Sequence, residues 1–394
     1  MSAPPTLLCI ANFPANTGYA WDYIEGTYAR LADRLVREGI RTQVGYPRID
    51  APPRPLASSA AQPLTLALTL DAPGALLRFA AHCRRENVRA LYLADRPVAH
   101  PAYAALRASG VRRIVVHDHS AGPTAVPTGV VRVLKRARAR LCGADAVIGV
   151  SRFVVRRLGE SDLVPPERLT CVYNFVEVPR IDRAERARAR RALGIPDDRP
   201  VILCLARATP QKGVHHLLRA FDRAALPEAA LFHCGDGPQL AELRALRDTL
   251  PSRARIHLRG HRPHAAELFA GAEVCVVPSV WREAFGLTVA EAMARGRAVV
   301  ASAVGAIPEL VVHGESGLLV PPGDEVALAG ALTRLVRDGA EAARLGTAAR
   351  ERVRTLLAPE ATLNALHARL TPAFIDDPPG KPLAWADLSD RAPG

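Results

Sequence analysis

Aromatic side chains and long apolar runs are both scarce in this sequence. Phe, Trp and Tyr make up 5% of its 394 residues, although apolar residues as a whole make up 49%. The cores must therefore be filled largely by Ala, Leu and Val packed between helices and sheets, which favours an α/β chain. No stretch reaches the roughly 18 apolar residues that span a bilayer, and no charged segment followed by a long apolar run begins the sequence. We expect neither a membrane-spanning helix nor a secretion signal.

Paired cysteine motifs are also missing. The seven cysteines are widely spaced, none forms a Cys-x-x-Cys pair, and most lie in or beside apolar stretches. This pattern indicates small core residues in a reducing compartment. We expect a cytoplasmic protein that is either free in solution or peripheral on the inner face of the membrane.

Acidic residues are the minority charge. The sequence has 52 Lys and Arg against 39 Asp and Glu, a net charge of +13. This excess favours an anionic partner such as a nucleotide diphosphate, a nucleic acid or an acidic membrane surface. The basic residues are not interleaved with aromatic residues or placed on a groove-reading motif, so we expect no nucleic-acid partner. Nothing in the sequence indicates the oligomeric state.

Length and periodicity predict a two-domain α/β protein. Short apolar strands alternate with helices throughout, which predicts Rossmann-like domains with parallel sheets. A charged run after residue 180 is placed at the start of the second domain, so we predict domain limits of 1–180 and 181–370. Residues 371–394, which are Pro-rich and acidic, are predicted to form a tail that crosses back onto the first domain. The Pro-rich stretch 51–63 predicts an exposed loop.

The most informative stretch is residues 278–296, PSVWREAFGLTVAEAMARG. Two carboxylates, Glu283 and Glu291, flank a turn at Gly286, and a helix is predicted to begin at Thr288. With Thr288 as N-cap, the N–H groups of the first turn and the positive end of the helix dipole would form a phosphate site beside Gly286. Carboxylates on either side of such a turn would suit a diphosphate joined to hydroxyl-rich sugars, that is, a nucleotide sugar.

A simpler interpretation of the same stretch stays open. Glu291 follows Thr288 by three residues, so the two side chains could form a capping box that serves only the helix. Glu283 precedes the helix and has no part in such a box.

The spacing Glu283-x7-Glu291 around Gly286 and Leu287 resembles the donor-site motif of glycosyltransferase family 4, whose members are retaining enzymes of GT-B fold. Further segments resemble the family's motifs in the same order along the chain: the Arg-x4-Lys pair of Arg207 and Lys212, the turn GDGP at 235–238, GAIPE at 305–309 and GLLV at 317–320. The resemblance implies two Rossmann-like domains whose parallel sheets face each other across a cleft. It is specific for the family and does not identify a substrate.

The resemblance also implies roles for individual residues of the second domain. Arg207, Lys212 and the backbone N–H groups at Gly286 and Leu287 would hold the donor diphosphate, with Gly235 in an adjoining turn. Arg207 and Lys212 precede a helix whose apolar face is predicted from its spacing: Val214, Leu217, Leu218 and Phe221.

The two glutamates would bind opposite ends of the donor. Glu291 would bind the ribose hydroxyls, and Glu283 would bind a hydroxyl of the donor sugar. Since the family is not metal-dependent, the resemblance implies no metal ion and no cofactor beyond the nucleotide sugar itself.

Three residues of the first domain are candidates as well. Gly18 ends the loop after the first strand, where the family usually has a Gly-Gly pair that lets backbone approach acceptor or phosphate. His117 and His119 follow a strand predicted over 113–116, at the edge where parallel sheets gather ligands. The resemblance implies a histidine near the reacting carbon of the donor sugar, and we favour His119 over His117. A metal site at His-x-His is the alternative, but no carboxylate partner can be named for it.

Residues 130–141, VVRVLKRARARL, predict a basic amphipathic helix. Two interpretations stay open. The helix could lie on an anionic membrane surface. Alternatively, its apolar face could pack on the sheet while its charges are solvated.

Together these patterns predict a retaining glycosyltransferase of bacterial glycan, glycolipid or natural-product biosynthesis. It would move a sugar from a nucleotide-sugar donor to a hydroxyl of a sugar-containing or lipid-linked acceptor. A GT-B-type sugar phosphorylase, a nucleotide-sugar epimerase and a non-catalytic nucleotide-sugar-binding protein remain alternatives. A nicotinamide dehydrogenase is disfavoured, because the loop after the first strand lacks G-x-G-x-x-G.

Overall fold

The computed structural model describes residues 3–18, 20–195, 199–262 and 265–375. Residues 376–394, which hold most of the predicted C-terminal tail, lie outside the described residues, and the predicted domain limits stay predictions. In the described part of the chain, no helix combines the length and the apolar character needed to cross a membrane.

The N-terminal half forms a seven-stranded sheet in the order β3-β2-β1-β4-β5-β6-β7. All of its paired strands run parallel. The strands are β1 (Thr6–Ile10), β2 (Arg41–Tyr46), β3 (Gln62–Thr65), β4 (Val88–Ala94), β5 (Arg113–Asp118), β6 (Ala146–Gly149) and β7 (Leu169–Cys171). The helices between them are α1 (Ala20–Leu35), α2 (Pro73–Arg85), α3 (Ala102–Ala108), α4 (Gly129–Leu141) and α5 (Arg152–Ser161).

The C-terminal half forms a six-stranded parallel sheet in the order β10-β9-β8-β11-β12-β13. The strands are β8 (Val201–Leu205), β9 (Ala230–Cys234), β10 (Ile256–Leu258), β11 (Val274–Val277), β12 (Ala298–Ser302) and β13 (Leu318–Val320). The helices are α6 (Arg183–Leu193), α7 (Val214–Ala224), α8 (Leu240–Thr249), α9 (Leu287–Ala294), α10 (Ile307–Leu310), α11 (Glu325–Arg337), α12 (Gly339–Leu356) and α13 (Pro359–Leu370). Two parallel-sheet Rossmann-like halves confirm the predicted fold class.

Each sheet has one point where the strand order reverses. In the first sheet this switch point lies between β1 and β4, and in the second it lies between β8 and β11. Loops that leave neighbouring strands at a switch point diverge to opposite faces, and the crevice between them is where such sheets bind ligands. The sites therefore belong to the loops that follow β1, β4, β8 and β11.

The buried core is built mainly from Ala, Leu and Val, as the shortage of aromatic residues predicted. The predicted apolar face of α7 is confirmed, since Val214, Leu217, Leu218 and Phe221 are all fully buried. The seven cysteines lie in the described part of the chain and none forms a disulfide.

Two elements differ from the sequence-based expectation. The Pro-rich stretch 51–63 was expected to be loop throughout, but β3 begins at Gln62. This strand lies at the sheet edge, the position in a sheet where Pro63 is tolerated. The final helix, α13, was not predicted, and it packs on the first sheet.

Candidate functional site

The loop that follows β8 carries Arg207 and Lys212 and is held close to the loop that follows β11. Arg207 is exposed and Lys212 is half-buried. Gly213, which ends the loop with φ +65°, has a backbone so close to the next loop that a Cβ would lie 2.0 Å from the carbonyl oxygen of Pro278. The N–H of Val280 donates to the carbonyl of Gln211 at 2.9 Å. The two loops of the switch point therefore form one unit.

Glu283 lies at the centre of this unit. Its Oε1 accepts hydrogen bonds from Lys212 Nζ and from Ser279 Oγ, both at 2.6 Å. The side chains of Lys212 and Glu283 are 29% and 18% exposed, so the ion pair is only partly shielded from solvent. The sequence separates the two residues widely, and the topology brings them together.

The backbone of Glu283 is fixed by the loop after β12. Its carbonyl accepts a hydrogen bond from the N–H of Ala306 at 2.9 Å. Gly305, with φ +56°, leaves no room for a side chain, because a Cβ there would lie 2.2 Å from the same carbonyl oxygen. In the sequence, GAIPE at 305–309 was identified only as a family motif. In the structure, its first residues hold the backbone of Glu283 in place.

Helix α9 begins one residue earlier than predicted. It starts at Leu287, and Gly286, with φ +96°, is the N-cap. The prediction that Thr288 is the N-cap is wrong. The capping-box interpretation is wrong with it, because the third helical residue after the true cap is Val289, which has no polar side chain. The anion site expected beside Gly286 and Leu287 stays a prediction.

Glu291 lies in the second turn of the same helix, and its side chain is partly exposed. At 3.6 residues per turn, Glu291 lies a little more than one helical turn along α9 from Gly286. The two glutamates thus flank Gly286 along the chain, Glu283 in the preceding loop and Glu291 in the helix itself.

Gly235 shapes the neighbouring turn after β9. A Cβ at this position would lie 1.9 Å from the carbonyl oxygen of Ala206, so only glycine lets the turn approach the loop that carries Arg207. The N–H of Gly235 donates to the carbonyl of Gly260 at 2.8 Å. Gly235 therefore allows the two loops to pack closely, and its N–H is already hydrogen-bonded within the protein.

In the first sheet, the loop after β1 ends at Gly18. Asn16 fixes this loop, since its side chain donates to the carbonyls of Ala51 and Pro52 at 3.1 Å and accepts from the N–H of Arg54 at 2.9 Å. Gly18 has φ +94°, and apart from its chain neighbours no atom of the described residues lies within 4 Å of where its Cβ would be. The described residues therefore leave room beside the backbone at Gly18.

The two candidate histidines differ sharply in environment. His117 lies on β5 and is buried, and its Nδ1 shares a hydrogen bond of 2.5 Å with the hydroxyl of Tyr92. Burial, together with the neighbouring His119, holds the pKa of His117 well below its usual range, so its ring is neutral. Its Nε2 has no hydrogen-bond partner among the described residues. The two rings are 4.2 Å apart between centroids.

His119 lies just past the end of β5 and is held by Asp95, which the sequence analysis did not identify. The N–H of His119 donates to Asp95 Oδ1 at 2.7 Å, and its Nδ1 lies 3.7 Å from the same oxygen. Burial would raise the pKa of Asp95, but its contacts with His119 outweigh burial and lower it. Asp95 follows β4 directly, at the switch point, which is the signal that could have identified it.

Contacts near Glu283 join the second half of the molecule to the first. Ser151 Oγ, at the N-cap of α5, donates to the carbonyl of Ala284 at 2.6 Å. Arg282 donates to Thr124 Oγ1. The carboxylate of Glu309 accepts from the N–H groups of Arg152 and Phe153 at 2.9 and 2.7 Å.

Metal-ligand groupings are absent from the part of the chain that the structure describes. No group of three or more His, Cys, Asp and Glu side chains there is arranged to hold a metal ion. His117 and His119 have Asp95 beside them, but the three do not form such a group.

Two family models together match most of the chain. The model described as Glycosyltransferase Family 4 matches residues 24–180, and the model described as Glycosyl transferases group 1 matches residues 185–352.

Curated relatives match mainly over part of their length. The chain is 34% identical over 260 residues to the GDP-mannose-dependent alpha-(1-6)-phosphatidylinositol monomannoside mannosyltransferase of Mycolicibacterium smegmatis, covering 62% of this chain and 66% of that protein. It is 29% identical over 212 residues to the N-acetyl-alpha-D-glucosaminyl L-malate synthase of Bacillus anthracis, covering 53% and 55%. The chain spans about half the length of most of the curated relatives it matches.

Solved structures match over nearly the whole chain. A glycosyltransferase from Rickettsia africae has a TM-score of 0.79 at 18% identity, covering 95% of this chain and 100% of that one. Anabaena HepE, solved in complex with UDP and glucose, has a TM-score of 0.74 at 19% identity, covering 92% and 98%. At these identities the likeness is one of fold, and it confirms the predicted GT-B architecture.

Proposed function

The chain belongs to the family 4 glycosyltransferases of GT-B fold, and we propose that it transfers a sugar from a nucleotide-sugar donor to an acceptor hydroxyl, with retention of anomeric configuration and without a metal ion. One observation carries the proposal. The ammonium of Lys212, the carboxylate of Glu283 and the start of α9 lie together on the two loops that flank the switch point of the second sheet.

The donor diphosphate would lie against Arg207, Lys212 and the first N–H groups of α9. Lys212 contacts Glu283 at 2.6 Å, yet an ammonium has three N–H donors and can hold a carboxylate and a phosphate oxygen at once. The exposed Arg207 would add a second positive charge on the same loop. Positive charge that is already in place where the leaving phosphate gains negative charge lowers the barrier, which is why we propose no metal ion.

The rest of the donor would extend to both sides of the diphosphate. Glu291, one helical turn along α9, would bind the ribose hydroxyls. Glu283 would accept a hydrogen bond from a hydroxyl of the transferred sugar, since Ser279 and Lys212 hold its carboxylate in one place. His119 would lie near the anomeric carbon, with Asp95 fixing its position, while Gly18 would allow close approach of acceptor or phosphate.

The proposed reaction is a same-face substitution. The acceptor oxygen forms a bond to the anomeric carbon as the bond from that carbon to the β-phosphate oxygen breaks, and the leaving phosphate takes the electron pair and the acceptor's proton. A covalent glycosyl intermediate would need a carboxylate acid and a carboxylate nucleophile roughly 5 Å apart across the reacting bond. We assign the two glutamates to opposite ends of the donor, so we propose no such intermediate.

The identity of the donor base is left to experiment. The mannosyltransferase relative is named for GDP-mannose and the Anabaena structure holds UDP, so both bases have to be tested. We propose a sugar-containing or lipid-linked acceptor, in keeping with the named relatives.

Thermal unfolding in the presence of UDP-, GDP- and dTDP-sugars tests the donor site. A ligand that binds only the folded protein raises Tm. We expect one base to raise Tm in the native protein and in Lys135→Ala, whose lysine lies on α4 in the first half of the molecule. The same base should leave Tm unchanged in Lys212→Ala and Glu291→Ala. No increase for any base would contradict the proposal.

Product analysis with the donor so identified tests the reaction. The anomeric configuration of the product, read by NMR, should match that of the donor. Activity in excess EDTA should stay within about twofold of the untreated rate, because the protein supplies the compensating charge. Inversion would overturn the proposed stereochemistry, and a loss of activity that Mg²⁺ or Mn²⁺ restores would overturn the metal-free mechanism.

A further inference from the structure

Helix α4 faces solvent with its apolar side. Its Val and Leu residues are among the most exposed of the large apolar residues that the structure describes: Val130 73%, Val131 58%, Val133 67%, Leu134 64% and Leu141 81%. At 3.6 residues per turn, Val130, Leu134 and Leu141 form one stripe, and the buried residue Ala139 lies on the opposite side of the helix. The interpretation in which the apolar face packs on the sheet is therefore wrong.

The polar side of α4 is attached firmly to the rest of the protein. Lys135 Nζ donates to the carbonyl of Ser161 at 2.9 Å. Arg168 donates to the carbonyls of Ala139 and Arg140 at 3.0 and 3.2 Å. These contacts fix the helix with its aliphatic stripe directed outward.

The charge of α4 has one sign. Residues 129–141 include Arg132, Lys135, Arg136, Arg138 and Arg140 and no acidic residue. Arg138 and Arg140 fall on the two flanks of the aliphatic stripe. A stripe of exposed Val and Leu with arginines along both edges matches a lipid surface, where the aliphatic groups enter the acyl boundary and the arginines meet lipid phosphates.

We propose that α4 docks the protein on an anionic lipid bilayer, with the stripe of Val130, Leu134 and Leu141 inserted and the flanking arginines on the headgroups. The occupant is a membrane rather than a second copy of this chain, because a symmetric contact through α4 would bring two sets of like charges together. This inference does not depend on sugar transfer.

Docking through α4 would place the candidate site beside the membrane. The loop that begins at Ser120 connects His119 to α4, and its Thr124 accepts a hydrogen bond from Arg282, the neighbour of Glu283. If the proposed function holds, a lipid-linked acceptor in that membrane would lie next to the candidate site.

Co-sedimentation of the purified full chain with vesicles tests the docking surface, with no donor present. We expect the protein to sediment with vesicles of phosphatidylcholine containing about 30% phosphatidylglycerol, to bind pure phosphatidylcholine far more weakly, and to be released by high salt. Two variants probe the two parts of the surface: Val130→Asp with Leu134→Asp, and Arg138→Glu with Arg140→Glu. Each should reduce binding by at least about tenfold.

The matched control is Leu77→Asp, since Leu77 is 70% exposed and belongs to a different helix, α2. It should bind vesicles like the native protein, and all variants should keep the native Tm because the altered side chains are exposed. Equal binding by the α4 variants and the control would overturn the proposal, as would no binding to anionic vesicles. Light scattering that shows a dimer, converted to monomers by Val130→Asp with Leu134→Asp, would instead assign the stripe to self-association. A negative vesicle result leaves the donor-induced change in Tm to decide the proposed function separately.

Discussion

At the scale of single residues, the candidate site depends on glycines that let backbones meet. Gly305 is the sharpest case, because its φ of +56° and the carbonyl of Glu283 both exclude a side chain. The consequence reaches beyond stability, since a Cβ at Gly305 would displace the backbone that positions the Glu283 carboxylate.

Gly305→Ala is expected to lower the free energy of unfolding by about 2–5 kcal/mol, from backbone strain plus the steric conflict. The control is Gly314→Ala, where φ is +77° and no atom of the described residues, chain neighbours aside, lies near the added Cβ, so only the strain of about 1–2 kcal/mol applies. Denaturant unfolding of both variants measures the difference. Equal losses would show that the contact with Glu283 imposes no steric restriction.

His117 makes stability depend on pH. Burial and the neighbouring His119 lower its pKa in the folded protein, whereas in the unfolded chain the pKa is about 6.5. Below that pH the unfolded state binds a proton that the folded state does not, so the stabilisation present at higher pH is lost as the pH falls.

His117→Gln should therefore lose stability less steeply than the native protein as the pH falls below about 6.5, where one histidine contributes up to about 1.4 kcal/mol per pH unit. The pKa values of His82, His215, His233 and His257 are also lowered by burial, but these residues are present in both proteins. Unfolding free energies between pH 7 and 5 give the two slopes. Parallel slopes would mean that folding does not lower the pKa of His117.

At the scale of elements, α5 and α9 show how helix ends organise the site. Gly286 caps α9 because a left-handed residue is needed where the chain turns from Glu283 into the helix. Threonine is a favourable N-cap residue, which explains why the start of α9 was predicted at Thr288. The preference of Thr288 for the N-cap position was outweighed by the geometry of the loop that precedes α9.

The N-terminus of α5 is held by a carboxylate from the other half of the molecule. Glu309 accepts hydrogen bonds from two N–H groups of the first turn and, at 2.8 Å, from the hydroxyl of Tyr173. A negative charge at this end of a helix is favoured by the helix dipole. Glu309 therefore links the second half of the molecule to the N-terminus of α5 in the first half.

Glu309→Ala is expected to lower the free energy of unfolding by about 2–3 kcal/mol, because it leaves the N–H groups of Arg152 and Phe153 without their acceptor. Glu351→Ala is the control, since that side chain is 59% exposed on α12 and a solvent-exposed ion pair such as its pair with Arg354 contributes little to stability. Denaturant unfolding measures both variants. Similar small losses would show that Glu309 does not stabilise the contact between the halves.

At the scale of the whole molecule, the chain returns to its first half. Leu363, Leu366 and Leu370 of α13 share a buried cluster with Val115 of β5. Arg113 donates to the carbonyl of Arg369 at 2.5 Å, and Thr362 donates to the carbonyl of Tyr173 at 2.9 Å. The last described helix is thus part of the first core, although it follows the second sheet in sequence.

Leu366→Ala should destabilise the first half by about 2–5 kcal/mol, because the side chain is fully buried. Leu77→Ala, at an exposed position, should change stability by less than about 0.5 kcal/mol. Hydrogen exchange locates the effect: we expect faster exchange in β5 and no change in β12. Faster exchange in β12 alone would contradict the assignment of α13 to the first core.

Much of the fold could be predicted from local pattern. The strand predicted over 113–116 forms most of β5, and the predicted apolar face of α7 is buried, because the spacing of apolar residues marks both elements. Strand β3 was missed because its sequence, QPLT, has neither apolar alternation nor a favourable residue at Pro63. Periodicity revealed the stripe on α4 but could not tell which way it faces, since that depends on the packing of the opposite side.

The candidate site was predictable where motifs mark loops after strands. The structure brings Lys212 and Glu283 into contact, although their proposed roles stay predictions. Asp95 and Ser279 were missed, because a single polar residue after a strand carries no motif. Their importance comes from three-dimensional neighbours, His119 for one and Glu283 for the other.

The most direct test of the donor site is calorimetric titration with the matching nucleoside diphosphate and nucleoside monophosphate. If Lys212 and the start of α9 bind the β-phosphate, Lys212→Ala should weaken the diphosphate by at least about tenfold, as expected for a charge-assisted contact, and change the monophosphate little. Glu291→Gln should weaken both nucleotides, since it acts on the ribose, and Lys135→Ala should weaken neither. Equal affinity of the native protein and Lys212→Ala for the diphosphate would contradict the account.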